Sequence, residues 1–368
     1  MASLPSTIKA VVTKEDLTVE VREIPLKAAK SGVPEGQLLV KIEAMGINPT
    51  DWKHSYVKQL QYPNRVVGCD AAGTVVAVGD NVHLFKVGDR VGAVTHGTAK
   101  EDNGAFAEYA LFKVNNTFKL PDGMTFEEGA AWPVPDFTFF QGATCYQGLP
   151  LPSVDNPPRD EAVFIWGGAT SIGWHGIQLA KLIGLKVLTV ASTKHHETLR
   201  EIGADEVFDY KDADVLDKLK KTVKEWGNVK YGFDGISENG TIEKCVDVLG
   251  ETPGGAHLVT VLKPSDEAVK RNPNVKVTMT LGYSFMGEPF VFAKALKYDA
   301  MPEHARILGE YFHTKLPAIL EGWQSPRGSK HFRAQKLIVL DGGLDRVDEA
   351  MRMLKDGKTS AEKIIVKF

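Results

Sequence analysis

Cysteine is scarce in this chain: only Cys69, Cys145 and Cys245 occur among 368 residues, scattered and without a CxxC pair. That excludes a disulfide framework and suits free thiols in a reducing compartment. Net charge is also small, −3 at neutral pH, which leaves no electrostatic footprint for nucleic acid or an anionic membrane. No apolar run approaches the roughly 18 residues a membrane span needs, and the opening MASLPSTIKAVVTKED lacks the apolar core of a signal peptide. Internal repeats and low-complexity tracts are missing too; the Pro-rich run 149–161 reads as a loop leading into a central domain. The expectation is a cytoplasmic protein whose partners are small molecules or proteins, with no nucleic acid and no membrane. A monomer is favoured over a homodimer, although no sequence feature decides.

What is present is apolar patterning: 43% of the residues are hydrophobic, enough for a large core and two domains. The central stretch is 162–192, AVFIWGGATSIGWHGIQLAKLIGLKVLTVAS. Its apolar runs 162–166 and 186–191 read as parallel strands buried on both faces, and 174–183 carries apolar residues at helical spacing until Gly184. Gly167 and Gly168 let the backbone leave the strand sharply, and Gly173 lets the helix sit close to the sheet. A helix N-terminus at such a joint offers unpaired N–H groups and a positive dipole end, which suits a pyrophosphate. The GxGxxG fingerprint is only partly present, because Thr170 and Ser171 stand where glycines often lie. Small hydroxyls can also donate to phosphate, so Gly167, Gly168, Thr170, Ser171, Ile172 and Gly173 form the candidate dinucleotide turn. The plainer alternative is a βαβ unit whose glycines serve packing alone.

Cofactor preference is read at the end of the second strand, Ala191-Ser192-Thr193-Lys194-His195. No carboxylate occurs in that segment to bind a ribose 2′-hydroxyl or repel a 2′-phosphate, and Ser192 and Lys194 offer a hydroxyl and a point charge. NADPH is therefore the expected cofactor, with Tyr210 as a further contact. The competing roles are a helix N-cap for Ser192 and a solvated charge for Lys194.

Around this centre the chain divides by pattern. Residues 8–12, 17–23, 37–45, 68–79, 87–94 and 104–112 alternate or run apolar between glycines, as in a small barrel-like β domain, with a turn expected at Asn48 and Pro49. Helical spacing occurs at 125–132 and again at 138–149, the latter reading as a bridge between domains. After 162–192, strand patterns at 206–210, 231–237, 256–262 and 275–281 and helical ones at 215–226 and 240–248 complete a six-strand doubly wound count. The tail 336–368 reads as strand, helix, strand. The fold class is α/β: a β-rich domain from 1–136 and 301–368, and a Rossmann domain from 137–300.

The motifs GINPTDW (46–52), GCDAAGTVVAVG (68–79), VGDRV (87–91), GAFAEY (104–109), GGATSIG (167–173), GADEVFDY (203–210) and the closing SAEKIIVKF together resemble the medium-chain dehydrogenase/reductase superfamily over nearly the full length. The resemblance implies a GroES-like catalytic domain, a Rossmann domain and hydride transfer in the cleft between them. Zinc-dependent members place a cysteine and a histidine where this chain has Asn48 and the pair Cys69, Asp70, and the four-cysteine zinc lobe is missing. That leaves no plausible three-ligand zinc site and removes the Lewis acid of alcohol oxidation. The lone histidines, His54 and His96 among them, read as surface or core residues.

INPTDWK, GATCYQGLPLPS (142–153), SFMGE (284–288) and GKTSAEKIIV most resemble the zinc-free branch, and within it fungal trans-acting enoyl reductases that partner polyketide synthases. The reaction implied is hydride transfer from NADPH to the β-carbon of an α,β-unsaturated thioester, followed by protonation of the α-carbon, which calls for in-line positioning, donors aimed at the enolate oxygen and a proton source. By resemblance the catalytic candidates are Lys53, Tyr56 and Thr144, with Thr144 beside the nicotinamide. Asn48 is a cofactor contact, and Thr50, Phe285 and Met286 are substrate contacts, the last two lining an acyl channel unless they are core. Lys53 and Tyr56 are otherwise exposed loop residues, Asp51 a turn or cap partner, and Cys69 and Asp70 space-fillers under the cleft. General quinone or enone reduction, or nucleotide binding without turnover, are the alternatives.

Overall fold

A computed structural model describes residues 4–368. The chain forms two compact units: one comprises the chain up to Val134 with Tyr283–Lys330 and Ala334–Phe368, the other Pro135–Gly282 with His331–Arg333.

The second unit is built on a six-stranded sheet in the order Glu206–Phe208, Lys186–Val190, Ala162–Trp166, Tyr231–Asp234, Ala256–Thr260, Val275–Met279, every pair parallel. The strand order reverses between Ala162–Trp166 and Tyr231–Asp234, the topological switch point at which such sheets open a crevice beyond the strands' carboxyl ends. Phe164, Leu188 and Leu258 face the helices Val215–Trp226 and Thr241–Leu249, which contribute Leu219, Val223, Val246 and Leu249 to one core. The helix Ser171–Ile183 buries Ile177, Leu179, Ala180 and Ile183, and it stops where Gly184 turns left-handed.

The first unit carries a seven-stranded sheet, along which Lys336–Asp341, Glu362–Lys367, Gln37–Gly46, Asp70–Val78, Arg90–Val94 and Thr117–Lys119 pair in turn, with Tyr109–Lys113 also on Gln37–Gly46. Alternation puts Leu38, Val40 and Ile42 inward with Val75, Val91, Phe106 and Phe112. The helix Val347–Lys355 closes that core with Val347, Ala350 and Met351.

Three expectations need correction. Segment 283–300 belongs to the first unit, so the boundary expected at 300 falls at 282. After Val275–Met279 the chain enters a short 3₁₀ turn, Gly282–Met286, and the hairpin Phe290–Phe292/Leu296–Tyr298. Tyr283 then stacks on His96 at 3.6 Å between ring centroids, and Phe290 packs edge-on to His96 at 6.0 Å. Asn48 and Pro49 do not make a turn; they start the helix Pro49–Tyr56, where Asn48 and Asp51 form a capping box. The bridging helix begins at Pro133 rather than at 138 and runs through Phe140 into a π-helical turn, Gln141–Tyr146, that carries Thr144.

Candidate active site

In the second unit the turn after Ala162–Trp166 is shaped by glycine. Gly167 has φ +90°, and a Cβ on Gly173 would lie 2.2 Å from the Gly167 carbonyl oxygen. Only a residue without a side chain lets the helix start this close to the strand. Thr170 caps that helix: its Oγ1 accepts from the Gly173 N–H at 3.0 Å and donates to the Gly167 carbonyl at 2.8 Å. Its single proton is thereby committed to the turn, so the expected phosphate-donor role of Thr170 gives way to a shaping one. Ser171 and Ile172 form the first helical turn, whose N–H groups have no intrahelical acceptor, and both are only half-buried. A pyrophosphate fits this end.

At the strand end, Ser192 makes no side-chain cap; its hydroxyl lies 3.4 Å from that of Tyr210, and Lys194, two residues on, is exposed. The structure brings Ser192 and Tyr210 together. It also places a carboxylate there, contrary to the expectation of none: Asp209 accepts from the Thr193 N–H at 2.9 Å, from the Thr193 hydroxyl at 2.6 Å and from the Lys211 N–H at 2.9 Å. Those bonds, the Thr193 hydroxyl first, hold the Asp209 carboxyl down at about 2. Its donors come from residues 16 positions away and from its own next turn, so strand-end reading alone did not reveal it.

In the first unit, Asn48, Asp51, Cys69, Asp70 and Lys363 form a buried polar cluster. Asp51 accepts from the N–H groups of Asn48 at 2.7 Å and Cys69 at 3.1 Å. Asp70 accepts from the Asn48 amide at 2.8 Å and from the Val134 N–H at 3.1 Å. The Lys363 ammonium donates to the Asn48 side-chain amide oxygen and lies 3.7 Å from Asp70. Burial pushes the Asp51 carboxyl up to about 6 against its N–H donors. It likewise raises Asp70 and lowers Lys363, and each of that pair opposes the effect on the other. Burial, then the two carboxylates, keeps the Cys69 thiol well above its usual range and so protonated. Asn48 thus has both ends of its amide tied and is 2% exposed. It is an internal strut, not the cofactor contact expected, and Asp70 is a polar hub, not a space-filler.

A second chain of polar groups leaves the same helix. The Thr50 hydroxyl bonds the Tyr283 hydroxyl, which lies 3.3 Å from His54 Nε2, while His54 Nδ1 lies 2.9 Å from the Thr98 hydroxyl. Burial lowers His54 to about 4 and His96 to about 3, and it raises Tyr283 well above its usual range, so all three stay uncharged. His54, His96 and Thr98 line a cavity of about 400 Å³, together with Arg65, Met286 and Phe290.

The other candidates scatter. Tyr56 donates to Asp348 at 2.7 Å with Arg352 over its ring, so its proton is held by a helix at the far end of the chain rather than offered to a reaction. Lys53 has its ammonium 5.5 Å from the Trp52 ring centroid. Thr144 donates to the Pro150 carbonyl at 3.4 Å. Phe285 is fully buried and is core, not channel wall, because the turn that holds it is packed inward. Met286 lines the cavity, its sulfur accepting from Asn116 at 3.2 Å. Lys363 and Tyr283 went unnoticed in the sequence, and His54, read there as a surface or core residue, is buried. A lysine at the start of the apolar run IIV was the one available signal for Lys363.

The sequence matches the family descriptions "Alcohol dehydrogenase GroES-like domain" over residues 34–122 and "Zinc-binding dehydrogenase" over 171–298. It is 33% identical to an uncharacterized protein of Saccharomyces cerevisiae, over 99% of this chain and 98% of that one. Identity to the trans-enoyl reductase resD of Aspergillus sclerotiorum is 32%, over 90% of this chain and 93% of the relative. The crystal structure of CurK enoyl reductase shares the fold, with a TM-score of 0.72 at 17% identity over 99% of both chains. Among the described residues no group of three His, Cys, Asp or Glu side chains is placed to hold a metal ion. The donor set that a zinc would need holds an amide, a protonated thiol and a carboxylate already facing an ammonium.

Two measurements check these assignments. Gly173→Val, which drives methyl groups into the Gly167 carbonyl, is expected to weaken dinucleotide binding at least about 100-fold by titration, since the phosphate-binding turn can no longer close; wild-type affinity would mean the turn is misassigned. His54 is lowered on folding, so its contribution is complete above its unfolded value near 6.5 and is lost as pH falls toward 4. His54→Gln is therefore expected to flatten the acid-side decline in unfolding free energy by one proton, about 1.4 kcal/mol per pH unit. An unchanged slope would contradict a neutral buried imidazole.

Proposed function

The chain belongs to the medium-chain dehydrogenase/reductase family, and on that premise we propose that it is an NADPH-dependent, zinc-independent enoyl reductase. In this reading it transfers hydride to the β-carbon of an α,β-unsaturated polyketide thioester, acting as a monomer in trans with a polyketide synthase. The observation that carries it is the Lys363 ammonium against Asn48 and Asp70. A fixed cation already fills the polar cluster, so polarisation of an alcohol or simple carbonyl by a Lewis acid has no donor set to support it there. Reduction of a conjugated double bond does not need that aid: the charge spreads to an enolate oxygen, and positioning with hydrogen-bond donors suffices. The trans-enoyl reductase named among the relatives supports the substrate class and the trans arrangement.

NADPH would supply the hydride. Gly167, Gly168, Ser171, Ile172 and Gly173 would hold its pyrophosphate, while Ser192, Lys194 and Tyr210 would hold its 2′-phosphate. Asp209 opposes the phosphate charge, but its oxygens are turned to Thr193 and Lys211. Thr50 and Met286 would face the substrate, Thr144 the nicotinamide, and Lys53 would donate to the enolate oxygen.

The test is NADPH and NADH oxidation with a 2-enoyl pantetheine thioester and a quinone in parallel, before and after dialysis against a chelator. The reading predicts thioester turnover with NADPH, unaffected by the chelator. It also predicts that Ser192→Asp with Lys194→Ala shifts the NADPH:NADH preference by about 100-fold or more, as expected for losing a phosphate's two partners and adding a like charge. Turnover of the quinone alone, or unaltered cofactor preference, would refute the substrate or the cofactor assignment respectively.

A further inference from the structure

The proposed reduction needs a proton at the α-carbon, and neither Tyr56, held by Asp348, nor the buried Cys69 thiol is placed to release one. The first unit nevertheless contains a continuous path of exchangeable protons. From the cavity inward it runs Thr98 hydroxyl, His54 Nδ1 at 2.9 Å, His54 Nε2, Tyr283 hydroxyl at 3.3 Å, and Thr50 hydroxyl. Its outer end, Thr98 and His54, lines the cavity beside Thr95, Arg65 and Asn103; such a polar lining is one that water occupies. Its inner end, Thr50, is half-buried on the first turn of Pro49–Tyr56. The middle is sheathed: His96 stacks on the Tyr283 ring at 3.6 Å and 13°, Phe290 and Phe292 pack around it at 6.0 and 6.2 Å, and Phe292 also packs near His54 at 6.1 Å. Thr98 sits at φ +66°, a left-handed conformation that is unusual for a β-branched residue. Such strain persists where the surroundings over-determine it, often at functional positions, and here it accompanies the bond to His54.

We propose that Thr98, His54 and Tyr283 form an uncharged proton relay that carries a solvent proton from the cavity to Thr50, the group that protonates the α-carbon. This rests on the enoyl-reductase reading. The step balances as follows. NADPH gives the β-carbon a hydride with its electron pair, and the enolate's electron pair then forms the α-C–H bond with the Thr50 proton. Thr50 recovers a proton from Tyr283, Tyr283 from His54 Nε2–H, His54 at Nδ1 from Thr98, and Thr98 from cavity water, so the net proton comes from bulk solvent. Each relay group gives one proton and receives one, and none ends charged; His54 finishes with its proton on Nδ1, and the Nε2–H tautomer is restored before the next turnover. That suits an imidazole held near 4 and a phenol held well above its usual range, for which a stepwise imidazolium or phenolate would be costly. Tyr283 and His54 act through Thr50 and are positioning residues; Thr50 is the one that touches substrate.

The relay is tested by steady-state NADPH oxidation with a 2-enoyl pantetheine thioester in H₂O and D₂O, for the wild type, Tyr283→Phe and His54→Gln. Tyr283→Phe retains the ring that stacks on His96 and loses the hydroxyl alone. Each variant is expected to lower kcat about 100-fold, the scale of one general-acid contribution, with NADPH affinity within about twofold of wild type. The solvent isotope effect on kcat should rise to above about 2 as protonation becomes rate-limiting. Wild-type kcat in either variant would overturn the relay, and so would a loss of kcat with an unchanged isotope effect, which marks a structural role. If the wild type itself leaves the thioester untouched, the functional reading falls and the relay's role with it. That outcome is distinct from an active wild type matched by an equally active Tyr283→Phe.

Discussion

A buried ammonium is the interaction on which the first unit of this protein depends. Lys363 lies on the C-terminal strand Glu362–Lys367, 3% exposed, and reaches Asn48 at the start of a helix and Asp70 at the start of a central strand. Asp70 in turn takes the N–H of Val134. One charge pair therefore ties together four segments far apart in sequence. Removing one member of such a pair would leave an uncompensated charge, typically at a cost of about 3–5 kcal/mol, so the cluster behaves as a unit. Its charges are paired internally: the carboxylate of Asp70 faces the Lys363 ammonium, and the Asn48 amide is bonded at both ends.

The consequence is a preference for chemistry by placement. In the second unit, placement means backbone: Gly173 lets a helix N-terminus stand against the strand, and Thr170 fixes that turn with both sides of its hydroxyl. In the first unit it means neutral hydrogen-bonding groups, because burial holds His54, His96 and Tyr283 in their uncharged forms. An enolate-forming reduction asks for such an environment, with donors in fixed positions and little reorganisation. The relay proposed through Tyr283 and His54 extends that logic from the oxygen to the carbon that must be protonated.

How much of this could be read in the sequence depended on the range of each interaction. The parallel sheet was legible because each strand is a short apolar run between turn residues, and the glycine turn after Ala162–Trp166 because its glycines are consecutive with the helix they admit. Sequence-local ambiguity explains the smaller errors. Thr170 looks alike as phosphate donor or helix cap, Asn-Pro alike as turn or helix start, and an apolar Phe285 alike as core or channel. Segment 283–300 reads as a continuation of the preceding strand domain until His96, from a distant loop, is seen to claim Tyr283. The cation of the polar cluster was invisible for the same reason: Asn48 and Lys363 are separated by 315 positions, and a lone lysine in a strand carries no sign of its partner.

The proposed reaction delivers hydride to a carbon–carbon double bond and not to a carbonyl. It is tested most directly by reacting NADPH, deuterated at its transferring C4 position, with a 2-enoyl pantetheine thioester in ordinary water and locating the label in the product by NMR. The account predicts one deuterium on the β-carbon, a protium from water on the α-carbon and an intact thioester. Deuterium on the former carbonyl carbon, or none in any product, would contradict it.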